Sequence, residues 1–133
     1  MKVKRVVIFT DGASLGNPGQ AAIGAIIKDE QGRLVARLSR RIGQATNNQA
    51  EYKAIISALE EATRLGASDV NIRSDSQLVV SQINGAWRVR KPALKLLCHR
   101  VEQLQRQFHG FTITYIPRQQ NVEADNLAHL ALS

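Results

Sequence analysis

The 133-residue sequence predicts an α/β protein in which a mixed five-stranded sheet, with its first three strands antiparallel, is flanked by helices. Two observations lead to this prediction. Three strand-like segments joined by turn sequences come first, and helical and strand-like segments then alternate to the end of the sequence. No internal repeat or interdomain linker interrupts this order, so we expect residues 1–133 to form a single domain.

The first three predicted strands occupy residues 6–9, 21–27 and 33–42. Residues 6–9 are continuously apolar, which is typical of a strand buried on both faces, and this strand is expected to stop at Asp11. A turn rich in glycine and proline follows. Residues 29–32 then predict a hairpin turn, and the alternating pattern of the third strand places it near an edge of the sheet.

The second half of the sequence alternates between helix and strand. Thr46 and Gln49 have the spacing of a capping box, which begins a helix that extends to Leu65. Apolar residues at helical spacing, with Pro92 in a first-turn position, indicate a later helix. The predicted elements after the first helix are a strand over 70–73, a helix over 77–83, a helix over 92–108, a strand over 111–116, a loop over 117–120 and a helix over 121–132.

The composition points to a polyanionic partner. The 18 Lys and Arg residues exceed the 11 Asp and Glu residues, which gives a net charge of +7. A compact domain this basic attracts nucleic acid, and a basic protein without such a partner is the alternative. Cys98 is the single cysteine and can form no internal disulfide, which fits a reducing compartment. No apolar run approaches the roughly 20 residues of a membrane span, and no secretory signal begins the sequence, so we expect a cytoplasmic protein without a membrane partner.

Four acidic residues lie where an ordinary solvated charge is not expected. Asp11 and Asp75 each end a predicted strand, and ligands of open α/β sheets gather at the carboxyl ends of strands. Glu51 lies on the apolar stripe of its helix, and Asp125 shares a side of the last helix with Val122 and two further apolar residues. Turn or capping roles are the alternative for the aspartates, whereas a buried glutamate requires a partner cation or a raised pKa.

If these four carboxylates formed a cluster, their negative charges would repel one another strongly unless cations neutralised them. An all-oxygen cluster suits hard divalent cations, Mg²⁺ or Mn²⁺ rather than zinc. Such a site suits hydrolysis of a phosphodiester with two metal ions, one of which activates water while the other stabilises the leaving oxygen. The basic surface would then hold the polyanionic substrate.

Four short motifs contain these carboxylates, at residues 10–19, 46–51, 74–77 and 121–125. Together they resemble the signatures of the ribonuclease H type 1 family, in the same order and over nearly the whole chain. The resemblance implies a ribonuclease H-like fold and endonucleolytic cleavage of the RNA strand of RNA–DNA hybrids, and we expect a monomer. It also implies two Mg²⁺ ions, with Mn²⁺ as a substitute, whose ligands are Asp11, Glu51, Asp75 and Asp125.

The resemblance further implies which residues contact the substrate. Those expected at the RNA strand are Gly12, Asn17, Asn48 and Gln77, and those expected at the DNA strand are Thr46 and Asn47. Amide side chains can contact the 2′-hydroxyls that the wide minor groove of an A-like hybrid displays. The alternative is local, because Asn17 can serve a turn while Thr46 and Asn47 cap a helix.

The segment at residues 87–92 departs from the family pattern. It leads directly into the next helix and leaves little room for the basic protrusion that some family members carry. Substrate binding would then depend on the basic side chains in and near this short segment, namely Arg88, Arg90, Lys91 and Lys95. Trp87 could stack on a sugar or pack under the loop, and we favour packing slightly.

The loop before the last helix is the second departure. Many family members carry a histidine there, whereas residues 117–120 contain none. Arg118 is the nearest functional substitute. It could hold the scissile phosphate, but an arginine is always charged and could not act as a general base near neutral pH. This short, archaeal-like arrangement leaves double-stranded RNA open as a further substrate. The histidines of the chain are expected to be surface or packing residues: His99, His109 and His129.

Two other functions stay open at this point. A module of the same fold could bind nucleic acid without cleaving it, although all four acidic positions are filled. A phosphate-handling receiver or phosphatase would share Asp11 and Asp75, but it would not account for Glu51 and Asp125 on apolar helix faces.

Overall fold

The computed structural model describes residues 4–133 and contains the mixed five-stranded sheet that the sequence predicts. The strands are β1 (Arg5–Ser14), β2 (Gly19–Asp29), β3 (Leu34–Ala45), β4 (Asp69–Ser74) and β5 (Gly110–Tyr115), in the spatial order β3-β2-β1-β4-β5. The first three strands are antiparallel, whereas β4 pairs parallel to β1 and β5 pairs parallel to β4. The edge position predicted for the third strand is confirmed. Residues 1–3, part of the N-terminal segment in which no secretory signal is expected, lie outside the described residues.

Four helices cover the sheet in the described part of the chain: α1 (Asn47–Arg64), α2 (Gln77–Ile83), α3 (Pro92–Gln105) and α4 (Val122–Leu132). The capping box predicted for α1 is present. Thr46 Oγ1 accepts a hydrogen bond of 3.1 Å from the Gln49 N–H, and the Gln49 side chain accepts one of 2.8 Å from the Thr46 N–H. α1 and α3 pack against each other over one face of the sheet, and α4 packs against β1, β2 and β3. Between residues 4 and 133, no helix has the length and apolar character needed to cross a membrane.

The main core lies between the sheet and α1. A row of isoleucines crosses four neighbouring strands, because the register pairs Ile27 with Ile8, Ile8 with Ile72, and Ile72 with Ile113. The side chains that α1 adds to this core include Tyr52, Ile55 and Leu59, none of which has exposed surface. Burial of one such aliphatic side chain contributes about 1.5–3 kcal/mol. This packing fixes α1, whose first turn carries Glu51.

Two predicted boundaries are wrong by several residues. β1 does not stop at Asp11 but continues to Ser14, because β2 goes on pairing with it as far as Ala21. The ladder is made by backbone groups, so a polar side chain does not end it. α3 ends at Gln105 instead of continuing to residue 108, and Phe108 is buried in the turn that follows.

Three further boundaries differ in detail. β3 continues to Ala45, three residues beyond its predicted end. The predicted loop before the last helix contains a 3-10 helix at Arg118–Gln120. α4 begins at Val122, and Asn121 is the N-cap residue rather than the first helical residue.

Candidate active site

Asp11 and Asp75 are neighbours because of the register between β1 and β4. The parallel pairing of these strands ends with Thr10 opposite Ser74, and the two aspartates are the next residues of their segments. They therefore lie at the carboxyl end of the parallel pairing, where ligands of such sheets bind. Asp11 also remains paired with β2 and is 5% exposed, which leaves its carboxylate little contact with water.

Glu51 joins this pair because α1 begins directly against β1. A Cβ atom on Gly12 would overlap the backbone of Ala50 and Glu51, so only glycine permits this close approach. The Gly12 N–H donates a hydrogen bond of 3.0 Å to Glu51 Oε1, which holds the glutamate beside Asp11. The resemblance assigns Gly12 to a contact with the RNA strand, but in this structure its backbone N–H is already hydrogen-bonded to Glu51.

Asp125 reaches the cluster through a second close approach, between α4 and β2. Gly24 lies opposite Asp11 in the antiparallel pairing, and a Cβ atom on Gly24 would overlap the backbone of Ala124 and Ala128. α4 therefore rests on the backbone of the sheet. As a result, the Asp125 carboxylate lies beside that of Asp11.

The inward face of α4 differs from the prediction in one respect. Val122, expected to share the inward side with Asp125, is 52% exposed. The buried stripe consists of Asn121, Ala124 and Ala128, because these are the positions that meet the sheet. Asp125 lies at the margin of this stripe, with 32% of its side chain exposed.

The predicted carboxylates converge on one cavity of about 370 Å³. Asp11, Glu51 and Asp75 each offer one oxygen, and these three oxygens all lie within 4.8 Å of one another. Asp125 borders the same cavity. Four acidic residues that are far apart in the sequence are therefore brought together by two strands and two helices.

Crowding and burial raise the pKa of three of these carboxyl groups. The pKa of Asp11 rises to about 9, first because of burial and then because of the charge of Glu51 and a hydrogen bond shared with Asp125. The pKa of Glu51 rises to about 8, because of burial and the charge of Asp75. Burial also raises the pKa of Asp75, against the opposing effects of the Asn121 side chain and the charge of Arg118. The cluster therefore resists full ionisation near neutral pH as long as no cation compensates it.

The donor set fits hard divalent cations. Every candidate ligand atom is a carboxylate oxygen, which is the donor that Mg²⁺ and Mn²⁺ prefer and zinc does not. Within residues 4–133, Asp11, Glu51 and Asp75 form no ion pair with a lysine or arginine. Among the described residues, no basic side chain is paired with these three carboxylates, so bound cations would be needed to neutralise their negative charge.

Arg118 and His129 also border the cavity. Arg118 lies in the 3-10 helix before α4, and its charge acts on Asp75. His129 Nδ1 lies 2.9 Å from the carbonyl oxygen of Asp125 and 3.3 Å from Asp125 Oδ1. The sequence predicts only a surface or packing role for His129, whereas the structure places it at the cavity. The spacing of four residues between Asp125 and His129, one helical turn, was the available signal.

Two of the residues assigned to the substrate, Gly12 and Asn47, border the cavity. Asn17 Oδ1 accepts a hydrogen bond of 3.0 Å from the Asn47 N–H, so the turn after β1 is joined to the start of α1. Thr46 caps α1, as the local interpretation requires. Tyr115, at the end of β5, also borders the cavity, and no sequence motif distinguishes it.

The other assigned residues are not among those that line the cavity. Asn48 lies in the first turn of α1, and Gln77 begins α2 and is exposed. Trp87 and Arg88 lie in the segment between α2 and α3, which contains no helix or strand and leaves no basic protrusion. Trp87 is 46% exposed, so packing, the role we favour from the sequence, covers only about half of its side chain.

The sequence matches a family described as reverse transcriptase-like over residues 9–131. The chain is 47% identical to ribonuclease HI of Halobacterium salinarum, over 96% of this chain and 64% of that protein. The crystal structure of RNase H1 from this halophilic archaeon has a TM-score of 0.95 to this structure, and the alignment covers 96% of this chain and 97% of that chain.

Two further solved structures are similar over nearly their whole length. The N-terminal RNase H domain of rv2228c from Mycobacterium tuberculosis is 40% identical, with a TM-score of 0.93 and coverage of 97% of this chain and 99% of that chain. LC11-RNase H1 in complex with an RNA/DNA hybrid is 37% identical, with a TM-score of 0.90 and coverage of 95% of each chain. The chain spans only 35% of the complete mycobacterial protein, which is named bifunctional.

Proposed function

Because the chain belongs to the ribonuclease H type 1 family, we propose that it is an endonuclease that hydrolyses the RNA strand of RNA–DNA hybrids. The observation that carries this proposal is the convergence of four carboxylates on one cavity of a strongly basic chain. The similarity to LC11-RNase H1, whose structure contains an RNA/DNA hybrid, supports the choice of substrate.

The proposed cofactor is a pair of Mg²⁺ ions, with Mn²⁺ as a substitute, held by Asp11, Glu51, Asp75 and Asp125. The all-oxygen donor set, the close oxygens and the raised pKa values support this assignment. The chemistry that such ions supply when bound is activation of a water molecule and stabilisation of the leaving oxygen in an in-line displacement. The contribution of the chain is to hold four oxygen ligands in place before the substrate arrives.

Arg118 is proposed to hold the scissile phosphate. Its guanidinium is permanently charged and can donate two parallel hydrogen bonds to phosphate oxygens. It borders the acidic cavity from the side of Asp75, where it also offsets part of the negative charge. Arg118 thus binds and orients the phosphate, and no proton transfer is assigned to it.

The remaining substrate contacts are proposed along the starts of α1 and α2. Gly12, Asn17, Asn48 and Gln77 are assigned to the RNA strand, and Thr46 and Asn47 to the DNA strand. The position of Asn47 at the cavity and its hydrogen bond with Asn17 support a continuous contact surface there. The exposed basic residues near Trp87, among them Arg88, would bind phosphates farther along the duplex. A monomeric state and a cytoplasmic location are part of the same proposal, whereas double-stranded RNA stays open as a further substrate, which the assay below decides.

A strand-specific cleavage assay tests the proposed function. The probe is an RNA–DNA hybrid labelled on either strand, incubated with Mg²⁺, with Mn²⁺ or with EDTA, beside double-stranded RNA and double-stranded DNA. We expect internal cuts in the RNA strand of the hybrid, no cuts in the DNA strand, and no reaction in EDTA. Tight binding of the hybrid without cleavage under any metal condition would overturn the proposal in favour of a non-cleaving binding module.

A further inference from the structure

Asn121, which the sequence predicts only as the first residue of the last helix, is buried with 1% of its surface exposed. Its Nδ2 donates a hydrogen bond of 2.9 Å to the carbonyl oxygen of Thr10, the residue immediately before Asp11. Its carbonyl oxygen accepts a hydrogen bond of 3.1 Å from the N–H of Asp125, which is the ordinary first bond of α4. The side-chain bond is therefore what connects the start of α4 to β1.

The side-chain hydrogen bond joins residues that lie 111 positions apart, the one before Asp11 in β1 and the one before α4. Asp125 lies in the first turn of α4, so this bond fixes the start of the helix, and with it Asp125, against β1.

Helix capping does not explain this arrangement. An asparagine before a helix is ordinarily favoured because its side chain accepts a hydrogen bond from an N–H of the first turn. The Asn121 side chain makes no such bond to α4 and turns toward β1.

Packing does not explain it either. The Asn121 Oδ1 atom is buried and has no hydrogen-bond partner among residues 4–133, which is unfavourable for a polar atom. An apolar side chain of the same shape would avoid this cost. We therefore attribute the presence of a buried amide here to the hydrogen bond that its Nδ2 group makes with the Thr10 carbonyl oxygen.

We propose that Asn121 is a positioning residue that holds Asp11 and Asp125 in the arrangement needed to bind divalent cations. The inference rests on the proposed function of the same cluster, but its test can be read without any cleavage assay. Residues that orient metal ligands typically change metal affinity or activity 10–100-fold when they are replaced.

The test compares Mn²⁺ binding and hybrid cleavage by the N121A and N121L variants of the full chain. Leucine has the branching of asparagine and, although its methyl groups are bulkier than the amide, leaves no cavity, so N121L removes the side-chain hydrogen bond without emptying the site. For both variants we expect Mn²⁺ affinity, measured by calorimetry, to fall 10–100-fold. The value of kcat should fall similarly, while KM for the hybrid changes less than about twofold, because Asn121 acts on the carboxylates and not on the substrate.

Asn84 provides the matched control. Its Nδ2 donates a hydrogen bond of 3.2 Å to the carbonyl oxygen of Ile113 in β5, which is the same donor and acceptor pair in an exposed residue away from the acidic cavity. The N84A variant should lose thermal stability while keeping Mn²⁺ affinity and kcat within about twofold of wild type.

Wild-type Mn²⁺ affinity in folded N121L, or a loss of affinity in N84A equal to that in N121A, would overturn the inference. If N121A does not fold, N121L alone decides the question, because it retains the packing. A wild-type protein that binds Mn²⁺ but leaves the hybrid intact would refute the proposed function, while the comparison of Mn²⁺ affinities would still test the role of Asn121.

Discussion

Asp11 lies directly opposite Gly24 in the pairing of β1 with β2, and α4 rests on the backbone of that same glycine. A second glycine, Gly12, follows Asp11 in the chain and allows α1 to approach β1 from the other face of the sheet. The most buried carboxylate of the cluster is thus held between two helices that touch the sheet backbone. These contacts bring Glu51 and Asp125 to Asp11.

The G24A variant should displace α4 and weaken the metal site. The added methyl group would overlap the backbone of Ala124 and Ala128, so the helix must move away from the sheet. Overpacking of this kind costs about 1–3 kcal/mol of unfolding free energy. We expect a lower Tm together with a clear loss of Mn²⁺ affinity, measured by thermal denaturation and calorimetry.

The G43A variant is the control for this prediction. Gly43 has a φ of +78° and no heavy atom within 4 Å of an added Cβ, so alanine is strained there without touching α4. Its stability should fall by about 1–3 kcal/mol. Unchanged Mn²⁺ affinity in G24A, at a stability similar to that of G43A, would show that the approach of α4 does not set the site.

The stability of the metal-free protein should decrease as the pH rises. The pKa of Asp11 is raised from 3.8 to about 9 and that of Glu51 from 4.5 to about 8, so between these values the folded protein binds more protons than the unfolded chain. The stability that these two groups contribute is present in full below their unfolded pKa values and is lost as the pH rises toward the folded ones. Thermal denaturation in EDTA from pH 5 to pH 9 should show this decrease.

Two variants sharpen the pH experiment. D11N removes one carboxyl group from the cluster and should flatten the dependence of Tm on pH. E60Q removes an exposed carboxylate, one that forms a surface ion pair with Arg100, and should leave the dependence unchanged. A wild-type Tm that is constant or rises over this range would contradict the interpretation of the cluster as mutually repelling.

The R118A variant should cleave the hybrid more slowly without losing activity altogether. We expect kcat to fall on the order of 10–100-fold, because one charge-assisted contact to the phosphate is lost while the carboxylates are retained. R118K should recover part of the rate, since it keeps the charge but not the paired donors. R106A, which removes an exposed arginine at the end of α3, is the control, and equal kinetics in R118A and R106A would assign Arg118 to the surface.

The order of strands and helices and the four carboxylates could be predicted because each depends on a local pattern. Asp75 follows a short strand of alternating apolar and polar residues, and Glu51 interrupts a regular apolar stripe, so both stand out without knowledge of the fold. The continuation of β1 beyond Asp11 could not be predicted in the same way. It depends on backbone pairing with residues of β2 that lie seven to eleven positions farther along the chain.

The supporting residues of the site were missed for a related reason. The sequence predicts Asn121 only as the first residue of the last helix, and only the three-dimensional position of Thr10 shows that its side chain turns to the sheet. Gly24 lies within an apolar strand, where a small residue indicates nothing until α4 is seen to rest on it. These roles depend on contacts between segments that are distant in the sequence. The periodicity of a single segment carries no information about such contacts.

The D11N variant tests the central claim most directly, that the converging carboxylates form the metal site at which RNA is cut. Cleavage of a labelled RNA–DNA hybrid and Mn²⁺ binding are measured on wild type and on D11N prepared identically, with Tm in EDTA as the test of folding. We predict that D11N loses cleavage and binds Mn²⁺ more weakly, while its Tm stays equal or increases because one repelling charge is gone. Near-normal turnover by D11N would contradict the claim.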